Sequence, residues 1–309
     1  MVLLYPISLP NSTASLSLRF DSPAGAVYNG AGRRRWPVSV LKYLLIPAAA
    51  AAGGLFCVAP KKADPSLLVP FLGRNIAHRG LYAGDQSVPE NSLPAFAAAA
   101  AGGYGVELDV HLSSDGQVVV FHDDSLKRMC GVDREVEDLT RRELSSLYLA
   151  GSRETIPLLR EVFTILAGVP VIVELKHSNT GRGELLCKKT LELIRKYPGP
   201  VCVQSFDPFL VRWFRKNAPD LLRGQLSAQT EDLKQETSAG TAVLLSHCLF
   251  NFLSRPNYIA YRIGKKPLSV RLSERMGAAR AAWTSHDPET EKSADIVIFE
   301  HYRPSVRFR

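Results

Sequence analysis

The sequence predicts a (β/α)8 barrel, and three observations carry that reading. From residue 74 onward, eight short β-branched or apolar runs alternate with amphipathic, capped segments. No glycine-rich phosphate loop follows the first run, which argues against an open, doubly wound sheet. His78, Glu107, Asp109 and Glu174 all fall at the C-terminal ends of predicted strands, where barrels of this class carry their chemistry.

The strands are expected over residues 75–78, 105–110, 171–176, 201–206, 222–226, 258–261, 281–284 and 295–299. Asn91 is read as the cap of a helix ending at Gly102-Gly103. Pro157 opens a helix over 158–167, and Asp207-Pro208 supplies a cap and a first-turn proline for another. Further helices are expected over 184–197, 239–253, 268–276 and 288–293. The second strand turns back at Asp115-Gly116, the preferred two-residue hairpin turn, into 117–121. A two-residue turn pairs Ser114 with Gln117 and so sets His122 opposite Asp109. Residues 123–156 break the alternation and are read as a small insertion after this hairpin, over the barrel mouth. Thr140-Arg141-Arg142-Glu143 within it reads as a capping box.

Ahead of the barrel the chain is different in kind. Residues 1–36 hold Ser, Asn, Gly and Pro clusters without a sustained period and are read as disordered. Tyr43 to Ala59 is a run of seventeen uncharged residues, at the lower limit for crossing the roughly 30 Å of bilayer hydrocarbon. The reading is a hydrophobic helix within 37–60 serving as a single-pass membrane anchor, with membrane association through 38–59. A cleaved signal peptide is its rival. Basic residues flank both sides, so orientation stays open. Residues 61–73 are expected to be a linker and 74–309 the barrel.

Composition narrows the function classes. With 309 residues and 46% hydrophobic content there is ample material for one large core. The formal net charge of +8 is spread along the chain without interleaved aromatics, which argues against nucleic acid as a partner. Five cysteines with no CxxC spacing are read as free thiols and exclude a zinc site of paired ligands.

Glu107 and Asp109, at i and i+2 of one strand, aim two carboxylates at one spot about 7 Å apart along the backbone. The alternative is an outward-facing polar strand face. Glu174 lies inside an apolar strand and needs a partner, either a metal or Lys176 two residues on. Arg79 can grip a phosphate bidentately or pair with Glu90, and Trp283 is read as a stacking surface or a core residue. His111, His177, His247, His286 and His301 lack such company.

Seven ordered stretches resemble the glycerophosphodiester phosphodiesterase family. They are His78-Arg79-Gly80, Pro89-Glu90-Asn91-Ser92, Glu107-Leu108-Asp109-Val110, Val120-Phe121-His122-Asp123, Val173-Glu174-Leu175-Lys176, Gln204-Ser205-Phe206 and Trp283-Thr284. The resemblance covers about residues 74–300 and, with the hydrophobic segment, points to a membrane-anchored bacterial-type member. It implies a TIM barrel that hydrolyses glycerophosphodiesters to glycerol 3-phosphate and an alcohol. Glu107, Asp109 and Glu174 would hold Mg²⁺ or Ca²⁺, a choice the hard carboxylate oxygens favour. His78 and His122 would serve as general base and general acid. Arg79, Lys176 and Trp283 would bind substrate or phosphate. Two departures bear on substrate preference: Phe299-Glu300 stands where many members have Thr-Asp, and Ser285-His286-Asp287 replaces a frequent Val-Asn. Lysophospholipase D-like or phospholipase C-like action on intact lipids is the alternative activity. A noncatalytic phosphate-binding module is the alternative class.

Overall fold

The computed structural model describes residues 27–28, 34–35 and 38–309. These fall into two units divided between Ala52 and Gly53. In the first, Val27–Tyr28 and Arg34–Arg35 pair as a short antiparallel ribbon, inside a segment read as disordered. The rest of residues 1–36 lies outside the described residues. The anticipated hydrophobic helix runs over Val38–Val58 with Pro47 in its interior. Proline removes a backbone donor there, and alanine is only weakly apolar. Among the described residues no helix is long and apolar enough to cross a membrane.

The second unit is the barrel. Its strands are β1 (Arg74–Ala77), β2 (Gly105–Leu112), β3 (Val171–Leu175), β4 (Val201–Ser205), β5 (Leu222–Ser227), β6 (Tyr258–Arg262), β7 (Ala279–Ser285) and β8 (Ile296–Phe299). All eight pair in parallel, each with its neighbour in sequence, and β8 closes on β1. Strand alternation sorts the side chains. Val106, Leu108 and Val110 face the helices with Phe96 and Leu159, while Ile172, Cys202, Leu222 and Tyr258 fill the lumen.

Local chemistry sets the helix ends, with two corrections. Asp207 caps Pro208–Asn217 through its side chain, and Thr140 and Glu143 form the capping box on Arg141–Leu144. Ser92, not Asn91, caps Leu93–Ala101, accepting from the Ala95 amide. The single helix expected over 239–253 is broken into Ala239–Ser246 and Asn251–Ser254, with Cys248 between them in the left-handed region at φ 52°.

The hairpin differs from the prediction by one residue. Val110 pairs with Val120 and His111 with Val119, and the Ser113 amide donates to Gln117. The loop therefore has three residues, closed by Gly116 at φ 79°, a type I turn with a glycine bulge. Phe121, not His122, ends up bonded across to Asp109. Residues 123–156 fold beyond this arm around their own small core of Leu126, Val136, Leu144 and Ile156.

Residues 61–73, expected to be a linker, instead form the barrel floor. The Lys61 amide donates to Pro256, Asn257 Nδ2 to the Lys61 carbonyl, and the Gly73 amide to Asp295. All three partners lie at or just before strand starts. Phe71 is fully buried and packs into the lumen cluster with Ile76, Ile172 and Leu222. Truncation to Phe71→Ala is expected to cost about 3–5 kcal/mol, the range for a buried aromatic. Leu67→Ala on the exposed side should cost less than ~1 kcal/mol. Urea unfolding curves of the two variants check this, and equal midpoints would show that the floor is not part of the cooperative fold.

Candidate active site

The site begins with strand register. Glu107 and Asp109 both point into the barrel from β2, and the parallel pairing sets Asp109 beside Glu174 of β3 and Glu174 beside Gln204 of β4. One oxygen from each of Glu107, Asp109 and Glu174 lies within 4.8 Å of the other two, and all three residues are buried. The outward-facing alternative for β2 is thereby ruled out.

Three like charges in a buried throat need compensation. Lys176 Nζ sits 2.6 Å from Glu174 and 2.8 Å from Asp109, so its stem bends into the acid cluster. Arg79 Nε stands 3.5 Å from Asp109, and its Nη1 donates to Glu90 at 2.8 Å. Asn91 Nδ2 donates to Asp109 at 2.8 Å, which is where the side chain assigned to a helix cap goes instead. Gln204 Nε2 donates to Glu107. Arg79 and Asn91 both hold left-handed backbone, at φ 52° and 55°, joined by the Asn91 amide donating to the Arg79 carbonyl.

The compensation is uneven. Burial alone would raise the Asp109 carboxyl, but Lys176, His122 and Arg79 hold it well below the carboxylate range. Glu107 is pushed well above that range by burial and by Asp109 and Glu174. Burial and Asp109 lift Glu174 to about 7, against the pull of Lys176. Three carboxylates thus face two permanent cations, and Glu107 carries the surplus. Hard oxygen donors with an excess of negative charge fit Mg²⁺ or Ca²⁺.

Two histidines stand by this cluster, each held through Nδ1 by a carboxylate. His78 Nδ1 meets Glu300 at 2.6 Å, leaving its Nε2 3.9 Å from Glu107. His122 Nδ1 meets Asp123 at 2.6 Å. An ionised carboxylate accepts, so the proton rests on Nδ1 and Nε2 carries the lone pair. Burial lowers the His78 imidazole, helped by Arg79 and opposed by Glu300. Burial and then the Lys176 ammonium push His122 down to about 4. His122 reaches the cluster through the field it shares with Asp109 and Lys176, rather than by the cross-strand contact expected of it. The one-residue register difference is the reason.

Glu300, which the sequence reading tied only to substrate preference, is the carboxylate that holds His78. Its carboxylate also accepts from Tyr82 Oη at 2.9 Å and lies 3.0 Å from His286 Nε2 and 3.9 Å from His301 Nε2. His286 and His301, read as unaccompanied, belong to this cluster. The available signal was position: Glu300 follows the last strand directly, and β8 pairs with β1, which ends one residue before His78. Trp283 donates its indole N–H to Ser227 at 3.0 Å and packs edge-on against Phe206 at 5.8 Å. Thr284, next to it, is left-handed at φ 56°, where the β7–β8 register shifts.

The chain is similar to known proteins. Human lysophospholipase D GDPD1 is 38% identical over 141 residues, 41% of this chain and 42% of that one. A glycerophosphodiester phosphodiesterase of Caldanaerobacter subterraneus subsp. tengcongensis is 34% identical over 166 residues, 49% of this chain and 65% of its own. The chain therefore matches less than two thirds of these relatives' lengths. Among solved structures, an Oleispira antarctica phosphodiesterase in complex with the product sn-glycerol-3-phosphate superposes with a TM-score of 0.59 at 25% identity, covering 74% of this chain and 93% of that one. Residues 78–302 match the glycerophosphoryl diester phosphodiesterase family, and they contain every residue of the site described above, so the chain belongs to that family.

Proposed function

We propose that this chain hydrolyses glycerophosphodiesters to glycerol 3-phosphate and an alcohol, with a divalent cation and a pair of histidines. The observation that carries the reading is the paired arrangement of two imidazoles, each held at 2.6 Å through Nδ1 by a carboxylate, beside three buried acids. Glu107, Asp109 and Glu174 would hold Mg²⁺ or Ca²⁺, which supplies positive charge to the phosphoryl oxygens. The product-bound Oleispira antarctica phosphodiesterase supports the small-molecule substrate.

The proton transfers follow from the imidazoles. Nε2 of His78 accepts the proton of the glycerol hydroxyl beside the phosphate as that oxygen attacks phosphorus. His122, in its doubly protonated imidazolium form, gives its Nε2 proton to the departing alcohol oxygen. Water then opens the cyclic phosphate with the two roles exchanged. The incoming phosphodiester anion offsets the Lys176 ammonium that helps hold His122 down at about 4, and so favours the proton His122 must donate. Arg79 and Lys176 face the phosphoryl oxygens from the cluster, and Trp283 lines the route for the glycerol end. Membrane association through residues 38–59 belongs to the same proposal. Similarity to human lysophospholipase D GDPD1 favours one second reading, action on lysophospholipids.

Glycerol 3-phosphate release from glycerophosphocholine tests the proposal, with lysophosphatidylcholine as the competing substrate. His122→Ala is expected to lower kcat by about 10²–10⁴-fold while the chain still unfolds in one cooperative transition. EDTA should abolish turnover and added Mg²⁺ or Ca²⁺ restore it; full activity in chelator would remove the cation from the scheme. Faster release of choline from the lysolipid would favour the second reading.

Glu300 gives a pH signature in stability. Burial would raise its carboxyl, but the hydrogen bonds from His78 and Tyr82 hold it down to about 2, from an ordinary 4.5. A carboxyl lowered on folding stabilises above its unfolded value, and that contribution fades as pH falls from about 4.5 towards 2. Glu300→Gln should therefore lose up to about 3 kcal/mol at neutral pH, a gap that narrows through this window. Parallel denaturation series at several pH values would show a constant gap if the carboxylate charge were irrelevant.

A further inference from the structure

We infer that the floor of the barrel, at the N-terminal ends of its strands, is a docking surface for an anionic lipid bilayer, which leaves the catalytic mouth open to water. Three features of this unit meet there. The chain enters it at Gly53, and the first turns after entry are fixed to the floor: Arg255 Nη1 donates to the Phe56 and Ala59 carbonyls, and Asn251 Nδ2 to Val58. Segment 61–73 then crosses the strand starts. Its inner side chain, Phe71, is buried, but Leu67 and Val69 are exposed, Val69 by 57%. Leu55 and Phe56, at the entry itself, are exposed as well. Large apolar side chains left outward on a face whose inward side is well packed mark an interaction surface.

Charge accompanies them. Lys61 and Lys62 are exposed on the same segment, and Lys62 lies against Gly277, just before β7. Arg215 and Arg255 stand just ahead of β5 and β6, and the C-terminal tail brings Arg307 beside Arg74 at the start of β1. These cations crowd one another. Arg74 is pulled below its ordinary value by burial and then by Arg307, and Arg255 by burial and then by Arg215. The mouth carries the opposite sign on its insertion, where Glu135 is pushed up by burial and by Asp124, Asp138 and Asp133. An anionic surface attracts the first face and repels the second. Apolar residues interleaved with lysine and arginine suit the boundary between lipid headgroups and acyl chains. The uncharged run Tyr43 to Ala59 comes immediately before this segment in the sequence.

The docking does not depend on the catalytic reading; only its consequence rests on that reading, namely that the diester reaches the site from the aqueous phase. Sedimentation of the full chain with phosphatidylcholine vesicles, with and without phosphatidylserine, tests the first point. Phosphatidylserine should strengthen binding of the unaltered chain, and Lys61→Glu/Lys62→Glu should cut that phosphatidylserine-dependent gain roughly tenfold or more, since each basic residue near such a surface contributes several-fold. Glycerol 3-phosphate release from glycerophosphocholine should be unchanged in that variant. Hydrogen–deuterium exchange on the same vesicles should slow over residues 64–72 and not over 83–88 or 124–135. An undiminished phosphatidylserine-dependent gain in the double variant, or slowed exchange at the mouth loops, would overturn the inference. Absence of turnover in every form of the chain would instead count against the catalytic reading and leave the vesicle results intact.

Discussion

Everything in the throat of this barrel depends on keeping three carboxylates ionisable where little water reaches them. Removing ions from water costs several kcal/mol each unless partners replace the solvent. Register does the first part: Asp109 lies directly beside Glu174, so one ammonium, Lys176, satisfies both. Backbone strain does the second. Arg79 turns left-handed after β1, which aims its guanidinium at Asp109 and its own amide at Glu107. Such a conformation persists only where its surroundings over-determine it. Here Asn91 bonds the Arg79 carbonyl through its amide and Asp109 through its side chain, while Glu90 holds the guanidinium.

The compensation continues outward as an alternation of signs. From Asp109 the chain of contacts runs through Arg79 to Glu90, from Glu90 to Arg128 of the insertion, and from Arg128 to Asp123 and His122. Ion pairs therefore fasten the insertion to the acid cluster, alongside the apolar core it shares with Val119 and Phe121 of the hairpin arm. Burial alone would push the Asp123 carboxyl up, yet the hydrogen bonds from His122 and Arg128 hold it well below its usual range. An ionised Asp123 fixes the His122 tautomer. Orientation of the second imidazole thus reaches back, by four ion pairs, to the same cluster that needs compensation. In a network of this kind the removal of one member exposes the next.

The fold was legible in the sequence because strand alternation and capping residues are local signals. All eight barrel strands fall where the apolar runs lie, within a few residues. The site was legible to the extent that it follows from period two on β2 and β3, which is why Glu107, Asp109 and Glu174 converge. What escaped was decided by competition or by distance in sequence. Asp115-Gly116 favours a two-residue turn, but Ser113 Oγ accepts the Gln117 amide and bonds Asp115, stabilising the three-residue loop instead. Asn91 and Ser92 both cap well; Ser92 takes the helix because the buried Asp109 needs the amide. Residues 61–73 have no periodicity to mark them as floor. Phe71 is one apolar residue whose partners all lie elsewhere in the chain.

Glu300 shows how a side-chain length can be read once its neighbours are known. At the end of β8, the backbone leaves the barrel with Phe299 turned into the helix layer, where it packs on Tyr104. The next residue therefore points towards the mouth, beside β1 and its His78. One oxygen of Glu300 serves His78 and Tyr82 together, while the other lies between His286 and His301. Many members of the resembling family place Asp at this position, with one methylene fewer. A shorter carboxylate on the same backbone would have to give up one side of that arrangement. The longer glutamate side chain lets the second oxygen reach two imidazoles, one from the β7 end at His286 and one from the turn after β8 at His301.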